Sequence, residues 1–465
     1  MNYYLAIDFG ASSGRHILAH IENGKIIEEE IYRFENGMKK KDGHLYWDIE
    51  TLFNEIINGL KVCKEINKIP VSMAIDTWAV DYVLLDKNGN RIRDVYGYRD
   101  NRTEKMDDEV YKLIPEKELY ATTGIQKQIF NTIYQLMADA RLEPELFEKA
   151  KTFLMIPDYF NYRLTGIQQS EYTNATSTQL VDPELKNWNR ALIKQLGLKP
   201  EMFLPLKKPG TPVGDFLPEI VEKVGFNTKV IQCASHDTAS AIMAMPCLED
   251  GLYISSGTWS LMGVELKKAL MDANSAKGNF TNEGGYEYRF RYLKNIMGLW
   301  MIQSVRHELN DEYSFGELCD FATEATISSQ VDVNDDAFFA PDSMIEAIKE
   351  YCRNTKQEIP ETVGEIASVV YNSLAMCYEK TVREIEANVN RKYSCIYVIG
   401  GGSKAGYLNQ LTANYTKKTV YAGPAEATAL GNILAQMIYN EEYKNLMEAR
   451  KAVLNSYKIQ IYKPE

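Results

Sequence analysis

Tyr253-Ile-Ser-Ser-Gly-Thr-Trp-Ser-Leu-Met-Gly-Val-Glu265 is the stretch whose reading decides the fold. Two apolar-alternating segments flank a tight Ser-Gly-Thr turn, the pattern of a β-hairpin with a polar tip. A second hairpin of the same kind opens the chain, Tyr4-Leu-Ala-Ile-Asp-Phe-Gly-Ala-Ser-Ser-Gly-Arg-His-Ile-Leu-Ala19. Each turn carries Gly, Ser or Thr, so bare backbone N–H groups and hydroxyls are available to face a phosphate chain. A single polar hairpin tip is commonly only a solvated turn. Two of them, one near the start of each half of a long chain, point to a duplicated fold closing on a nucleotide from both sides.

Immediately upstream lies Val230-Ile-Gln-Cys-Ala-Ser-His-Asp-Thr-Ala-Ser-Ala-Ile-Met-Ala244. Its apolar start reads as a strand, and Ala239, Ser240 and Ala241 suit a closely packed helix after Ser235-His236-Asp237. Pro246 and Glu249-Asp-Gly251 break the pattern, which places a domain boundary between residues 245 and 246. Downstream, the second half is expected to repeat the plan of the first: hairpin, an excursion over Lys267–Asn310, a helical region to about Asn390, and a strand at Ser394–Ile399. Gly400-Gly-Gly-Ser-Lys404 follows that strand; Thr419–Ala422 is a further strand, and a helix opens near Glu426. In the first half, Lys25–Phe34 continues the sheet. Asp48 caps a helix with apolar Leu52, Ile56, Ile57 and Leu60. Val71–Asp76 and Tyr82–Leu85 read as strands on either side of Asp76-Thr-Trp-Ala-Val-Asp81. Residues 104–200 read as helices and loops of an aromatic-rich inserted sub-domain. The whole is an α/β pattern with mixed sheets, unlike a Rossmann domain, whose glycine-rich turn leads directly into a helix.

Bulk properties narrow the function classes. A chain of 465 residues exceeds one core and fits two or three domains. Its 45% hydrophobic and 25% charged residues are ordinary for a soluble globular protein. A net charge of −12 argues against nucleic acid, since no basic excess is available to displace counterions. ATP stays open, because its phosphates need only a local cradle and a metal. The seven cysteines are scattered, with no CxxC or Cys/His cluster, which argues against zinc and a disulfide framework. A reducing cytoplasm is the expected location. The chain starts directly on a strand with no basic leader, and no apolar run approaches the ~18 residues of a membrane helix.

The polar residues at strand ends carry the chemistry. Asp8, at the end of the first strand, suits either Mg²⁺ held through water or a cap of its own turn. Arg15 suits either phosphate or a surface acid. Asp237, between strand and helix, fits an N-cap; it equally fits a general base for a sugar hydroxyl, kept ionised by the helix terminus. His236 beside it fits a sugar contact or a satisfied structural group. Gly400-Gly401-Gly402 lets backbone approach a flat ligand such as adenine-ribose, although neither GxxxxGK[ST] nor GxGxxG is present. Trp78, Trp259 and Trp300 suit a sugar site or the core. Together these are the parts of phosphoryl transfer, where catalysis is mainly positioning and charge neutralisation.

The chain resembles the FGGY carbohydrate kinases of the actin/hexokinase/Hsp70 superfamily. Asp8-Phe-Gly-Ala-Ser-Ser-Gly-Arg15, Asp76-Thr-Trp-Ala-Val-Asp81, Tyr98-Arg-Asp-Asn-Arg-Thr103 and Glu171-Tyr-Thr-Asn-Ala-Thr-Ser177 carry the likeness in the first half. Ser235-His-Asp-Thr-Ala-Ser240, Ser255-Ser-Gly-Thr-Trp-Ser-Leu-Met-Gly263, Leu293-Lys-Asn-Ile-Met-Gly-Leu-Trp300 and Gly423-Pro-Ala-Glu-Ala-Thr-Ala-Leu-Gly-Asn432 carry it in the second. The resemblance implies two actin-like (ribonuclease H-like) domains of duplicated topology with a central cleft, residues 1–245 binding sugar and residues 246–465 binding nucleotide, the last helices packing back on the first domain. It implies ATP and Mg²⁺ as cosubstrates and transfer to the 1-hydroxyl of a ketose, L-rhamnulose before L-fuculose or L-xylulose. A sugar-independent ATPase of the same superfamily is the more distant alternative. Carried over by motif, Asp237 is the proton acceptor, and His236, Thr238 and Asn295 contact the sugar. Ala11, Ser12, Ser13, Gly14, Arg15, Thr258, Gln303, Gly401 and Gly402 contact ATP, and Asp8 holds the metal through water. Ala79 stands where the family motif DTWGVD has a sugar-contacting glycine, which bears on which ketose is taken.

Overall fold

The computed structural model describes residues 1–246 and 250–465. Glu249, part of the expected break, and Cys247 lie outside the described residues. The chain folds as two compact units. The first comprises Met1–Ala244, Leu266–Tyr292 and Thr428–Ser456; the second comprises Met245–Glu265, Leu293–Ala427 and Tyr457–Glu465.

The first unit is built on a six-stranded sheet. Its strands are β1 (Tyr3–Phe9), β2 (Ser13–Glu22), β3 (Lys25–Glu35), β4 (Pro70–Thr77), β5 (Thr211–Asp215) and β6 (Lys229–Gln232), in the order β5-β6-β4-β1-β2-β3. β1 to β3 form an antiparallel meander. β4 lies parallel to β1, and β6 lies parallel to β4. Parallel strands need crossovers, and the helix Ile49–Glu65 supplies the one between β3 and β4. Asp48 starts that helix by accepting from the Thr51 N–H, and Leu52, Phe53, Ile56, Ile57 and Leu60 form its buried face. Beside this core, the segment after residue 104 has a core of its own, with Tyr134, Phe153, Trp188 and Phe203 at its centre.

The second unit repeats the plan. Its strands are β7 (Leu252–Ser256), β8 (Trp259–Leu266), β9 (Phe290–Met297), β10 (Cys395–Ile399), β11 (Thr419–Ala422) and β12 (Gln460–Tyr462), and they neighbour one another as β9-β8-β7-β10-β11-β12. β7 and β8 form the antiparallel hairpin, β10 lies parallel to β7, β11 parallel to β10, and β12 closes antiparallel to β11. The run β8-β7-β10-β11-β12 thus has the same order of strand senses as β2-β1-β4-β6-β5, the duplication expected from the two hairpins. One element departs from expectation. Phe290–Met297, read as part of an excursion, is a strand of this sheet. Its burial is nearly continuous rather than alternating, so it lacks the period-two signal of a half-exposed strand.

The helix Ala427–Tyr439 gives the first unit its tightest packing. From Thr428 onward it lies with that unit, and its polar side chains reach the sheet. Gln436 Nε2 donates to the Leu5 carbonyl and its Oε1 accepts from Ser72 Oγ; Asn432 Nδ2 donates to the Ala74 carbonyl and to Asp76 Oδ2. Gly431 permits the approach: a Cβ there would lie 1.7 Å from the Ser240 carbonyl oxygen. That obstacle is backbone of the helix that starts at Asp237, so it cannot swing aside. Gly431→Ala is expected to destabilise the protein by about 1–3 kcal/mol as an overpacking change. The test is the urea midpoint, with the denaturant slope unchanged.

Candidate active site

The helix Asp237–Met243 sets the position of the expected base. Its N-cap is His236, which makes no side-chain capping bond. Asp237 is therefore the first helical residue, and the N-cap alternative for it does not hold. Its Oδ1 accepts from the Thr238 N–H at 2.6 Å, and its side chain keeps 29% of its surface exposed. Burial first, and then the charge of Asp8, push its carboxyl up to about 7. A carboxyl in that range exchanges protons at neutral pH, as a general base must.

Two further acids stand near it. Asp8 on β1 faces Arg15 on β2 as a direct cross-strand pair, with Arg15 Nε and Nη2 donating to Asp8 Oδ2 at 3.0 and 2.8 Å. Arg15 thus meets a buried acid of the site, not a surface one. Asp76, at the end of β4, is fully buried. Asn432 donates to its Oδ2, whereas its Oδ1 meets no donor among the described residues. Burial, then Asp8, and to a lesser degree Asp237, raise its carboxyl well above the usual range. Three mutually repelling carboxylates and one orphaned oxygen suit a hydrated cation. Among the described residues no three His, Cys, Asp or Glu side chains converge as a ready-made metal cage. Mg²⁺, which keeps most of its waters and takes one or two carboxylates, fits such a set.

The segment Asp76–Asp81 turns sharply over these acids. Asp81 N donates to the Ala79 carbonyl at 2.9 Å, closing a γ-turn whose central residue, Val80, has φ of +66°. A β-branched residue in the left-handed region is strained and persists only where its surroundings hold it. They do so here. Thr132 Oγ1 and Gln135 Nε2 donate to the Val80 carbonyl, and Val80 N donates to Ser177 Oγ. Asp81 accepts from Trp47 Nε1, Trp78 Nε1, Gln135 Nε2 and the Tyr98 N–H. Burial still raises its carboxyl to about 6. Ala79 itself is half-buried with φ outside the left-handed region, so its backbone does not call for glycine. Arg102, from the polar run after Tyr98, donates to the Gln135 carbonyl and Oε1 and to Asp139, bracing the turn from behind. Trp78 belongs to this buried scaffold.

His236 and Thr238 meet each other and a residue that sequence reasoning missed, Arg291, which in turn contacts Glu283. Nothing marked it: its strand shows no alternation, and an arginine in isolation reads as surface. Ala11, Ser12 and Ser13 form the partly exposed tip of the first hairpin, where Gly10 N donates to the Ser13 carbonyl. Gly14 serves packing, since a Cβ there would lie 2.0 Å from the Phe34 ring.

In the second unit, Thr258 sits exposed at the tip of the β7–β8 hairpin. Its carbonyl accepts from Trp300 N, and its hydroxyl faces Gln303 at 3.4 Å. Gly402 packs beside the turn end of the same hairpin, where a Cβ would lie 1.9 Å from Ser256 Oγ; Gly401 has open space where a side chain would stand. Thr258, Gln303, Gly401 and Gly402 thus gather around one hairpin. Asn295 lies half-buried on β9, also in the second unit. Trp259 is exposed beside Phe339.

Comparison with known proteins identifies this architecture. The model of the FGGY family of carbohydrate kinases, N-terminal domain, matches residues 3–244, and that of the C-terminal domain matches residues 252–439. Rhamnulokinase of Halalkalibacterium halodurans is 49% identical over 462 residues, covering 99% of both chains. Rhamnulokinase of Bacillus subtilis is 43% identical over 465 residues, covering 99% of this chain and 95% of the relative. Among solved structures, the ligand-bound xylulose kinase of Lactobacillus acidophilus has a TM-score of 0.81 at 17% identity, covering 100% of this chain and 94% of that one. Plasmodium falciparum glycerol kinase with ADP has a TM-score of 0.82 at 14% identity, covering 100% and 95%. The solved structures share the fold.

The carboxylate geometry yields a direct titration test. Carboxyl-carbon NMR is expected to show Asp237 ionising near pH 7, neutral below and charged above. Asp8→Asn removes a negative neighbour, so the same signal should then titrate at lower pH. An unmoved midpoint would show that the two carboxylates do not interact.

Proposed function

We propose that this chain, which belongs to the FGGY family of carbohydrate kinases, transfers the γ-phosphate of ATP to the 1-hydroxyl of L-rhamnulose. Full-length identity of 49% to a rhamnulokinase supports the substrate. The observation that carries the chemistry is Asp237, a partly exposed carboxylate held near neutral pKa beside His236 and Thr238. Its free oxygen accepts the proton of the sugar hydroxyl as the oxygen attacks phosphorus, and a base poised near pH 7 does this most effectively. The first unit supplies this base, the sugar contacts of Ala79, His236 and Thr238, and the hairpin Ala11–Arg15 for phosphate. The second unit supplies Thr258, Gln303, Gly401 and Gly402 for the nucleotide and Asn295 for the sugar. Asp8 and Asp76 would hold Mg²⁺ through its waters. The bound ion supplies neutralisation of phosphate charge during transfer. Arg15, paired with Asp8 across the two strands, orients that carboxylate. The reaction belongs to L-rhamnose breakdown in the cytoplasm; among the described residues no helix is long and apolar enough to cross a membrane.

Ala79, just before the γ-turn at Val80, has no backbone strain, and we assign it to the wall of the sugar site. The methyl group there narrows the wall by one carbon relative to the family glycine. On the strength of the full-length identity to a rhamnulokinase, ADP release with Mg-ATP is expected to favour L-rhamnulose over L-fuculose, L-xylulose, D-xylulose, D-fructose and glycerol, with the Ala79 methyl tolerated. Preference for another ketose would move the specificity to the Ala79 wall, and release independent of any sugar would refute the kinase reading. In the same assay Asp237→Asn is expected to lower turnover by about 10²–10⁴-fold with KM for sugar little changed.

A further inference from the structure

We infer that Arg291 is a positioning residue for the sugar: it fixes which nitrogen of His236 carries the proton and makes Thr238 a pure hydrogen-bond donor toward a ketose oxygen. The inference rests on the proposed sugar site. Its evidence is the bonding around one guanidinium.

The Arg291 side chain is fully buried, with 0% exposure. Its Nε donates to the Gly284 carbonyl at 3.0 Å and its Nη1 to Thr238 Oγ1 at 2.6 Å. Its Nη2 donates to Glu283 Oε2 at 2.9 Å and lies 3.0 Å from His236 Nδ1. A guanidinium has donors and no acceptor, so His236 Nδ1 accepts and is unprotonated. The ring proton is on Nε2, which lies 3.1 Å from Thr238 Oγ1 and 3.5 Å from Asp237 Oδ1. The charged groups facing the ring are Arg291, Asp237 and Glu283. Burial first, and then Arg291, hold the imidazole well below its ordinary pKa, which keeps it neutral.

The consequence falls on Thr238. A hydroxyl has two lone pairs and one hydrogen. Arg291 occupies one lone pair and His236 Nε2–H the other. The hydrogen remains, and no acceptor among the described residues receives it. Thr238 is half-buried and adjacent in sequence to the base Asp237. Its hydroxyl hydrogen is thus presented to an acceptor oxygen of whatever sugar offers its hydroxyl to Asp237. A serine or threonine in water chooses between donating and accepting; this one cannot. A fixed donor discriminates between substrates more sharply than an adaptable one, because an oxygen in the wrong place leaves it unpaired.

The test is steady-state kinetics on wild type, Thr238→Val, Thr238→Ser, Arg291→Gln and the Thr238→Val/Arg291→Gln double variant, joined to nitrogen-15 NMR of the His236 ring. Wild type is expected to show Nε2 protonated and Nδ1 bare. Thr238→Val should raise KM for the ketose about tenfold, the worth of one hydrogen bond, with KM for ATP unmoved, and Thr238→Ser should restore it. Arg291→Gln should raise ketose KM too, and the imidazole, relieved of one of the two influences that lower its pKa, should protonate at higher pH in the nitrogen-15 titration than in wild type. In the double variant the two effects should fall well short of multiplying, since both act through one hydroxyl. Full multiplication, equal losses in Thr238→Val and Thr238→Ser, or a protonated Nδ1 in wild type would each overturn the inference. If Arg291→Gln does not fold, the two Thr238 variants and the ring NMR still decide. Failure of wild type on L-rhamnulose would refute the proposed substrate, while the ring NMR and the same kinetics on whichever ketose is accepted would still judge Arg291.

Discussion

Repulsion among buried carboxylates is the constraint around which the first unit is arranged. Asp8, Asp76 and Asp237 reach one neighbourhood from β1, β4 and the helix after β6. Asp8 raises the energy of the charged forms of Asp76 and Asp237, and Asp237 adds to the effect on Asp76; two unit charges 4 Å apart at an effective dielectric constant of 20 repel by about 4 kcal/mol. The fold answers each acid differently. Asp8 has Arg15 across the strand pair, and Asp76 has one bond from Asn432 and an oxygen left bare. Asp237 has a single backbone N–H and partial access to water. The arrangement leaves the most tunable acid at the surface of the cluster and the most desolvated one behind it. Burial and neighbouring charge favour the protonated forms of Asp76 and Asp237, and a cation beside them would favour their ionised forms.

A second layer of polar groups keeps that neighbourhood in shape. The γ-turn at Val80 is held by Thr132, Gln135 and Ser177, and Gln135 is itself held by Arg102. On the other side Glu171 accepts from the N–H and hydroxyl of Ser235 and from Thr173, which in turn accepts from the His236 N–H. Asn174 bridges the carbonyls of Trp78 and Ser235 and so ties the two loops together. Buried polar networks of this density are costly when incomplete and rigid when complete.

Much of this was legible in the residues. The two hairpins, the crossover helix capped by Asp48, and the parallel strands Pro70–Thr77 and Thr419–Ala422 follow from period-two and period-3.6 patterning with turn residues between. Asp8, Arg15, Asp237, His236 and Gly400–Gly402 drew attention through their chemistry at strand ends, whereas Ala79, Thr238, Asn295, Thr258 and Gln303 were legible only as motifs. What escaped falls into two physical kinds. Phe290–Met297 is buried along nearly its whole length, so pattern alone does not separate it from any apolar run. Arg291 and Gln135 act through partners far away in sequence, and a long-range hydrogen bond leaves no local trace. The glycines were legible as present but not as to purpose: Gly14 makes room for Phe34, and Gly402 makes room for Ser256.

The first unit closes with a segment from the far end of the chain. Thr428–Ser456 packs with residues 1–244, Gly431 fits against Ser240, and Asn432 completes Asp76. A ribosome releases the amino-terminal portion first, and a domain generally folds once all its parts have emerged. Here the strands β1 to β6 emerge long before the helix that covers them. Until that helix is made, the half-built unit exposes the polar seats of Gln436 and Asn432. The carboxylate cluster can acquire its final form only after residues 428–456 have been made, so the strands that carry Asp8 and Asp76 wait, during synthesis, for a partner that stands 356 residues beyond Asp76.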